Sequence, residues 1–374
     1  MTSAQASRTI PFFNYREVFA RHEEQLVAVI RDVVRRGAFI MQQDLERFEV
    51  RLATYLGVRH AIGVGNATDG LTMVFRALGL RAGDEAILPS HTMVASAAAV
   101  VMAGGVPVLI ECGADHLVDP VAVAAAITRR TRFVMPVHLN GRTAAMDAIG
   151  ESAARHRLQI VEDAAQALGS RFHNRLAGTF GRAGVFSFYP AKILGALGDG
   201  GAVVTDDDDL ARLIRLHRDH GRNADGEVEL WGGNSRLDNL QAAVLDLQFD
   251  GHDAAIARRR ELAGQYHRQL ADVRGLVLPP PPDADAVHYD VFQNYEIEAE
   301  RRDELREFLR SRGVGTMLPW GGKAIHQFAS LGLSAKLPVT DRIFTRVLML
   351  PLNTTLADDD VDAVCGAIRE FYAC

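Results

Sequence analysis

Cysteine is scarce: Cys112, Cys365 and Cys374 are the only three in 374 residues. They are too few and too scattered for a disulfide framework or a zinc site, and they suit a reducing compartment. No metal-ligand set is expected. Long apolar runs are missing too. The longest, "MVASAAAVVMAGGVPVLI", is interrupted by Gly104, Gly105 and Pro107 and reads as helix, turn and strand rather than as the ~18 apolar residues of a membrane span. There is no basic surplus: 41 Lys and Arg stand against 47 Asp and Glu, a formal charge of −6. Nucleic acid is therefore not expected as a partner, although a small anion is, because local fields need not follow net charge. The opening "MTSAQASRTIPFFNYREVF" lacks the basic start and apolar core of a signal peptide, so a cytoplasmic location is expected.

What is present is ordinary globular composition, 48% hydrophobic and 24% charged, in a chain long enough for two packed domains. Between residues 61 and 205 seven apolar runs alternate with helical patterns: "AIGVG", "AILP", "VPVLIEC", "RFVMPVHL", "QIVED", "VFSFY" and "GAVVT". Their near-continuous hydrophobicity predicts strands covered on both faces, hence an α/β fold around one mostly parallel sheet. A long helical pattern then runs from "NSRLDNLQAAVLDLQF" through "AAIARRRELAGQYHRQLADV" to the prolines at 279–282. Two further strand-then-helix patterns follow. The division expected is a large domain over residues 1–250 and a smaller α/β domain over 251–374.

The segment "FSFYPAKILGALGDGG" places Lys192 among apolar and small residues. A lysine so placed either reaches water along its stem or carries a lowered pKa, a paired carboxylate or a covalent partner. Two other strand ends bear on the choice. "IVEDAAQALGS" puts Asp163 just past an apolar strand, where it either caps a helix or faces a ligand beyond the sheet. "GVGNATDGL" leads a strand through small residues into a helix near Thr68 and Asp69, a tight turn or a seat for phosphate. A phosphate seat, a carboxylate and a buried lysine together are the needs of pyridoxal 5′-phosphate. Its aldehyde condenses with an amine, its ring nitrogen needs an acid, and its phosphate needs donors.

These strings, with "GDEAILPSHTMVASAAAVVMAGGVPVLIE", "VHLNGRTAAMDAI" and "NSRLDNLQAAVL", resemble the DegT/DnrJ/EryC1/StrS family of sugar aminotransferases in order along nearly the whole chain. The resemblance implies fold type I of the pyridoxal phosphate enzymes and a homodimer with shared active sites. It implies Lys192 as the cofactor-binding lysine, Asp163 as partner of the ring nitrogen and Gln166 beside the ring oxygen. Ala67, Thr68 and Ser187 would hold the phosphate, with Asn234 reaching it from the neighbouring subunit. Met93 falls where many members stack an aromatic residue on the ring, and a methionine sulfur can cover a ring as well. Gln42 and Gln43 replace a common Gly-Pro, and the loop before Asn234 departs from the family's usual form.

The resemblance implies transfer of an amino group from glutamate or glutamine to a keto sugar, nucleotide-linked in many members. A ketocyclitol acceptor and a sugar dehydratase on the same fold are the alternatives. The dehydratase branch replaces the lysine by histidine, so Lys192 argues for transamination. A regulatory protein that kept the fold but lost turnover is a third alternative, opposed by Lys192, Asp163 and Gln166 standing together. For the acceptor, "TMLPWGGKAIHQF" offers Trp320, Lys323 and His326. Trp320 either stacks on the substrate or fills a seam between domains, and Lys323 pairs with phosphate or is solvated. His138 and His220 are read as structural.

Overall fold

The computed structural model describes residues 9–333 and 335–373. All seven apolar runs become strands of one sheet: β1 His60–Val64, β2 Glu85–Pro89, β3 Val106–Ile110, β4 Thr131–Val134, β5 Gln159–Asp163, β6 Ala183–Ser187 and β7 Gly201–Thr205. Their spatial order is β1-β7-β6-β5-β4-β2-β3. β7 runs antiparallel to both neighbours, and the other pairs are parallel. The unbroken hydrophobicity of these strands follows from cover on both faces. On β2, Ala86 and Leu88 pack with Leu71, Val74 and Val100 from helices Ala67–Ala77 and Val94–Met102. Ile87 between them points the other way, onto Val123 and Ile149, as the alternation of a strand requires.

A smaller antiparallel sheet combines β8 Leu276–Val277, β9 Tyr295–Ala299 and β10 Val347–Leu350. Tyr295, Ile297 and Leu348 share a core with Leu262, Tyr266, Leu305 and Ile368 from the helices His252–Leu270, Arg302–Ser311 and Asp358–Ala373. Ile10 belongs to this same core and bridges to Val314. The chain's start therefore packs on its C-terminal third. The long helical pattern after residue 235 is two helices, Asn239–Phe249 and His252–Leu270. Ala242 and Leu245 of the first pack with Phe48 and Phe188, while Leu262 and Tyr266 of the second join the core of the small sheet. The helix breaks where the chain passes from one core to the other.

This topology gathers strand ends. β5 ends at Asp163, β6 ends at Ser187, and the antiparallel β7 begins beside them at Gly201. Gly201 pairs with Ser187 on one side and Val64 on the other. A Cβ on Gly201 would lie 2.8 Å from the Ala67 nitrogen, so only glycine lets the strand approach the start of the helix Ala67–Ala77 this closely.

Candidate active site

Lys192 sits in the connection between β6 and β7. The loop turns tightly: Lys192 N donates to Tyr189 O at 2.8 Å, and Ala196 N to Phe188 O at 2.8 Å. A Cβ on Gly195 would stand 2.6 Å from Pro190 O, so a glycine is needed to close it. Lys192 Nζ has no hydrogen bond or ion pair among the described residues, although the side chain is largely covered. Burial pulls its ammonium from the ordinary 10.5 down to about 8, and the nearby Asp163 carboxylate opposes that fall. A small cavity of about 10 Å³ is lined by Ala165, Gln166, Ser187, Lys192 and Gln293.

Asp163 is buried and held in place. Ser96 Oγ donates to its Oδ2 at 2.7 Å, Ala165 N approaches Oδ1 at 3.2 Å, and Thr92 Oγ1 stands 2.9 Å from Ser96 Oγ. Met93, half exposed, lies within this same turn, just before the helix Val94–Met102. Gln166 Oε1 accepts from Asn140 N at 2.7 Å, which fixes the amide and turns its NH₂ away from Asn140. The start of the helix Ala67–Ala77 is equally prepared for an anion. Asn66 caps the helix by accepting from Asp69 N at 2.9 Å. The Asp69 carboxylate, which would repel an anion there, is taken up by Asn66 Nδ2 at 2.9 Å and Ser235 Oγ at 2.7 Å. The amides of Ala67 and Thr68 open the helix, where the backbone dipole favours an anion.

The structure thus brings Ala67, Thr68, Asp163, Gln166, Ser187 and Lys192 to one edge of the sheet, with Met93 close by. Asn234 is exposed, one residue before Ser235, whose Oγ reaches Asp69. Trp320 packs against the cluster of Cys112, Ala324, Ile343, Phe344 and Val347, Lys323 is exposed with Nζ 5.9 Å from the Phe328 ring centre, and both ring nitrogens of His326 are engaged. They contact Ser90 Oγ at 2.7 Å and Asp341 Oδ1 at 3.0 Å. His138 is buried, with Nε2 2.8 Å from Glu162 Oε2 and Nδ1 accepting from Ala144 N at 3.1 Å.

Two neighbours of the site carried no signal in the sequence. Gln293 donates through Nε2 to Ala191 O at 2.8 Å and accepts at Oε1 from Ile193 N at 3.0 Å, gripping the chain on either side of Lys192. Asn294 donates to Asn140 Oδ1 at 2.9 Å and so steadies the residue that holds Gln166. Their chemistry is that of any surface amide until the fold delivers them here.

The sequence model of the DegT/DnrJ/EryC1/StrS aminotransferase family matches residues 20–369. This chain belongs to that family. It is an aminotransferase, and its cofactor is pyridoxal 5′-phosphate. The dTDP-3-amino-3,4,6-trideoxy-alpha-D-glucose transaminase of Streptomyces venezuelae is 40% identical over 99% of this chain and 98% of its own. The crystal structure of S. venezuelae DesV superposes with a TM-score of 0.94 at 39% identity, covering 98% of this chain and 99% of that one. NtdA from Bacillus subtilis, solved with bound cofactor PMP, gives 0.88 at 28% identity over 99% of this chain and 87% of its own. The residues present here fit such a cofactor: an unpaired amine, a fixed carboxylate and a helix start cleared of competing charge. No helix of the described residues is long and apolar enough to cross a membrane.

Proposed function

We propose that this aminotransferase moves the amino group of glutamate or glutamine onto the keto carbon of a nucleotide-linked sugar. The observation that carries the reading is Lys192, an amine without a partner at the sheet edge opposite a fixed carboxylate. The similarity to a dTDP-amino-sugar transaminase supplies the acceptor class. When bound, the cofactor supplies an electron sink for the carbon that gains or loses a proton. Lys192 Nζ takes the proton from the donor's α-carbon and later delivers one to the sugar carbon, so its side of the ring sets the configuration of the new amine. Asp163, held by Ser96 and Ala165, would keep a proton on the cofactor's ring nitrogen. Ala67, Thr68 and Ser187 would hold its phosphate, Gln166 would stand beside its ring oxygen, and Met93 would cover its ring. Each assignment rests on the geometry above together with the family resemblance.

The active unit in this reading is a homodimer in the cytoplasm, each chain dividing near residue 250 into a large and a small domain. Phe39, Ile40, Leu197 and Trp231 are exposed, Trp231 at 97%. Phe39 O accepts from Asn239 N, and Leu197 N donates to Gln241. Phe39 and Leu197 thus meet the same helix, Asn239–Phe249, and they offer a second copy an apolar face. Asn234, three residues beyond Trp231, would reach the partner's phosphate seat. Mixing Lys192→Ala chains with Asn234→Ala chains would then restore part of the activity, because one site in each hybrid keeps both residues. Failure to rescue despite proven subunit exchange rejects the shared site. The acceptor class is tested by converting the enzyme to its amino form with glutamate and screening nucleotide-linked keto sugars for return of the original cofactor absorbance. Return with a ketocyclitol and with no nucleotide sugar overturns the acceptor proposed.

A further inference from the structure

A second cluster of chemistry-bearing side chains lies at the junction of the two sheets, outside the cofactor site. His91 follows β2, His116 lies in the loop after β3, and Glu296 is on β9; all three are buried. One ring nitrogen or carboxylate oxygen from each comes within 4.8 Å of the others. His116 Nδ1 stands 2.7 Å from Glu296 Oε1, and His91 Nε2 stands 3.5 Å from the same oxygen.

Three observations separate this cluster from an ordinary buried ion pair. His91 is fully buried, its ring edge-on to Phe344 at 4.8 Å, yet Nδ1 has no hydrogen-bond partner among the described residues and Nε2 has only the long 3.5 Å contact with Glu296. Leaving such a nitrogen unpaired is costly, about 1–3 kcal/mol. Glu296 Oε2 is likewise buried without a partner. Finally, the far nitrogen of His116 is already oriented: Nε2 faces Glu298 Oε1 at 3.3 Å, and Glu298 is in turn flanked by Arg346 at 3.1 Å and Arg342 at 3.6 Å. His116 Nδ1 donates to Glu296 Oε1 at 2.7 Å, so an ion entering the cluster would take the place of that proton while Glu298 stays on Nε2 and holds the ring. Histidines that ligate metals are held in this way.

We propose that His91, His116 and Glu296 bind one divalent transition-metal ion of the zinc class, joining the loops after β2 and β3 to the small sheet. The donor set of two imidazoles and one carboxylate is that of an open zinc site. A tetrahedral ion with ligand bonds of about 2.0–2.1 Å needs its donors roughly 3.3 Å apart, so the ligand atoms would have to move only by amounts that side-chain rotation supplies. The fourth position would be open to water from a cavity of about 60 Å³ that His116 and Glu296 help to line. Nothing in the sequence pointed here, because the residues stand at 91, 116 and 296 with no ligand spacing between them. The ion would brace the stretch leading from His91 to Met93 against β9, without taking part in amino transfer.

The test is titration of the chelator-treated holoenzyme with Co²⁺ and then Zn²⁺. The expected result is one Co²⁺ per chain, with the intense visible absorption of a tetrahedral ion, displaced by one Zn²⁺, and a melting temperature that rises with Zn²⁺ concentration. His91→Phe, which keeps a ring against Phe344, and Glu296→Gln, which keeps the shape, should each weaken binding at least about 10-fold. Glu298→Gln should do so while leaving all three ligands in place, and it keeps the test decisive if either ligand variant fails to take up cofactor. No binding at millimolar Co²⁺ and Zn²⁺ overturns the proposal in favour of a hydrated ion-paired cluster. Binding that all three variants leave unchanged places the ion elsewhere and overturns it equally.

Discussion

The edge of the large sheet and the segment 316–328 both hold a cation, small residues and hydrogen-bonding side chains, but they differ in what those groups already touch. At the sheet edge the supporting groups are saturated and the central one is open: Asp163, Asp69 and the Gln166 oxygen each have partners, while Lys192 Nζ has no hydrogen bond or ion pair among the described residues. In the segment 316–328 the reverse holds. Both nitrogens of His326 are committed to Ser90 and Asp341, and the Trp320 ring packs against a core although its Nε1 has no partner among the described residues. A side chain fully engaged within its own chain has little left for a ligand, and one held open by engaged neighbours is prepared for it. Residue type alone does not tell the two apart.

The sharpest way to break this contrast is to remove its open group. Lys192→Ala should reduce turnover by roughly 10⁴-fold or more and abolish borohydride-stable attachment of the cofactor, measured by mass. Appreciable turnover in that variant would end the reading. Its pH behaviour adds a second check. With its pKa near 8 rather than 10.5, Lys192 is the neutral nucleophile over a wider range, and the rate of cofactor uptake by apoenzyme should climb through a midpoint near pH 8. For stability the sign is opposite to that of a paired lysine. The unfolded chain binds this proton below 10.5 and the folded chain only below about 8, so apoenzyme stability falls as pH drops through that window. Lys192→Met should remove the slope, worth on the order of 3 kcal/mol, in denaturant titrations.

Asp163→Asn comes next. The amide keeps the shape and the Ser96 contact but not the charge, so the glutamate half-reaction should slow roughly 10²–10³-fold with the fold intact by circular dichroism. An unchanged rate would place the electron sink's partner elsewhere.

Gln293→Ala probes the saturated surround. Loss of its two bonds frees the chain at Ala191 and Ile193, and a misplaced lysine should cost about 10-fold in turnover. Gln293→Glu, which keeps the acceptor for Ile193 N and loses the donor to Ala191 O, should fall between. A positioning role also requires the midpoint of cofactor uptake to move with the Lys192 environment. A fall in melting temperature with that midpoint and the turnover unmoved would reduce Gln293 to a structural bond.

These two regions also divide what the sequence made legible. Lys192, Asp163 and Thr68 each stand at a strand end inside a contiguous motif, because a parallel sheet presents such ends to a ligand. The seven strands were legible for the same reason, in unbroken apolar runs. The groups that hold the site open were not. Ser96 meets Asp163 across 67 positions, Gln293 meets Ile193 across 100, and Asn294 approaches Gln166 across 128. No local pattern marks a bond closed only by tertiary folding. Trp320 was ambiguous because an indole serves a stack or a core equally well; the Cys112 and Phe344 cluster supplies the core.

The smallest effect tests the other side of the contrast. Of the acceptor residues the sequence offered, Lys323 alone keeps its charge exposed, with Phe328 beneath its ammonium as a loose support. An extended cation on a glycine-flanked loop suits a diphosphate, which accepts point charge without demanding fixed geometry. Lys323→Ala should therefore raise KM for the keto sugar by roughly 5- to 150-fold, about 1–3 kcal/mol for a charge-assisted contact, and leave the glutamate half-reaction unchanged. His326→Ala should do the opposite, lowering the melting temperature through loss of the Ser90 and Asp341 bonds while sparing KM. Equal KM effects in the two variants would erase the distinction between engaged and open groups. No effect of Lys323→Ala on either half-reaction would remove the diphosphate contact and shift the acceptor toward a smaller keto sugar or ketocyclitol.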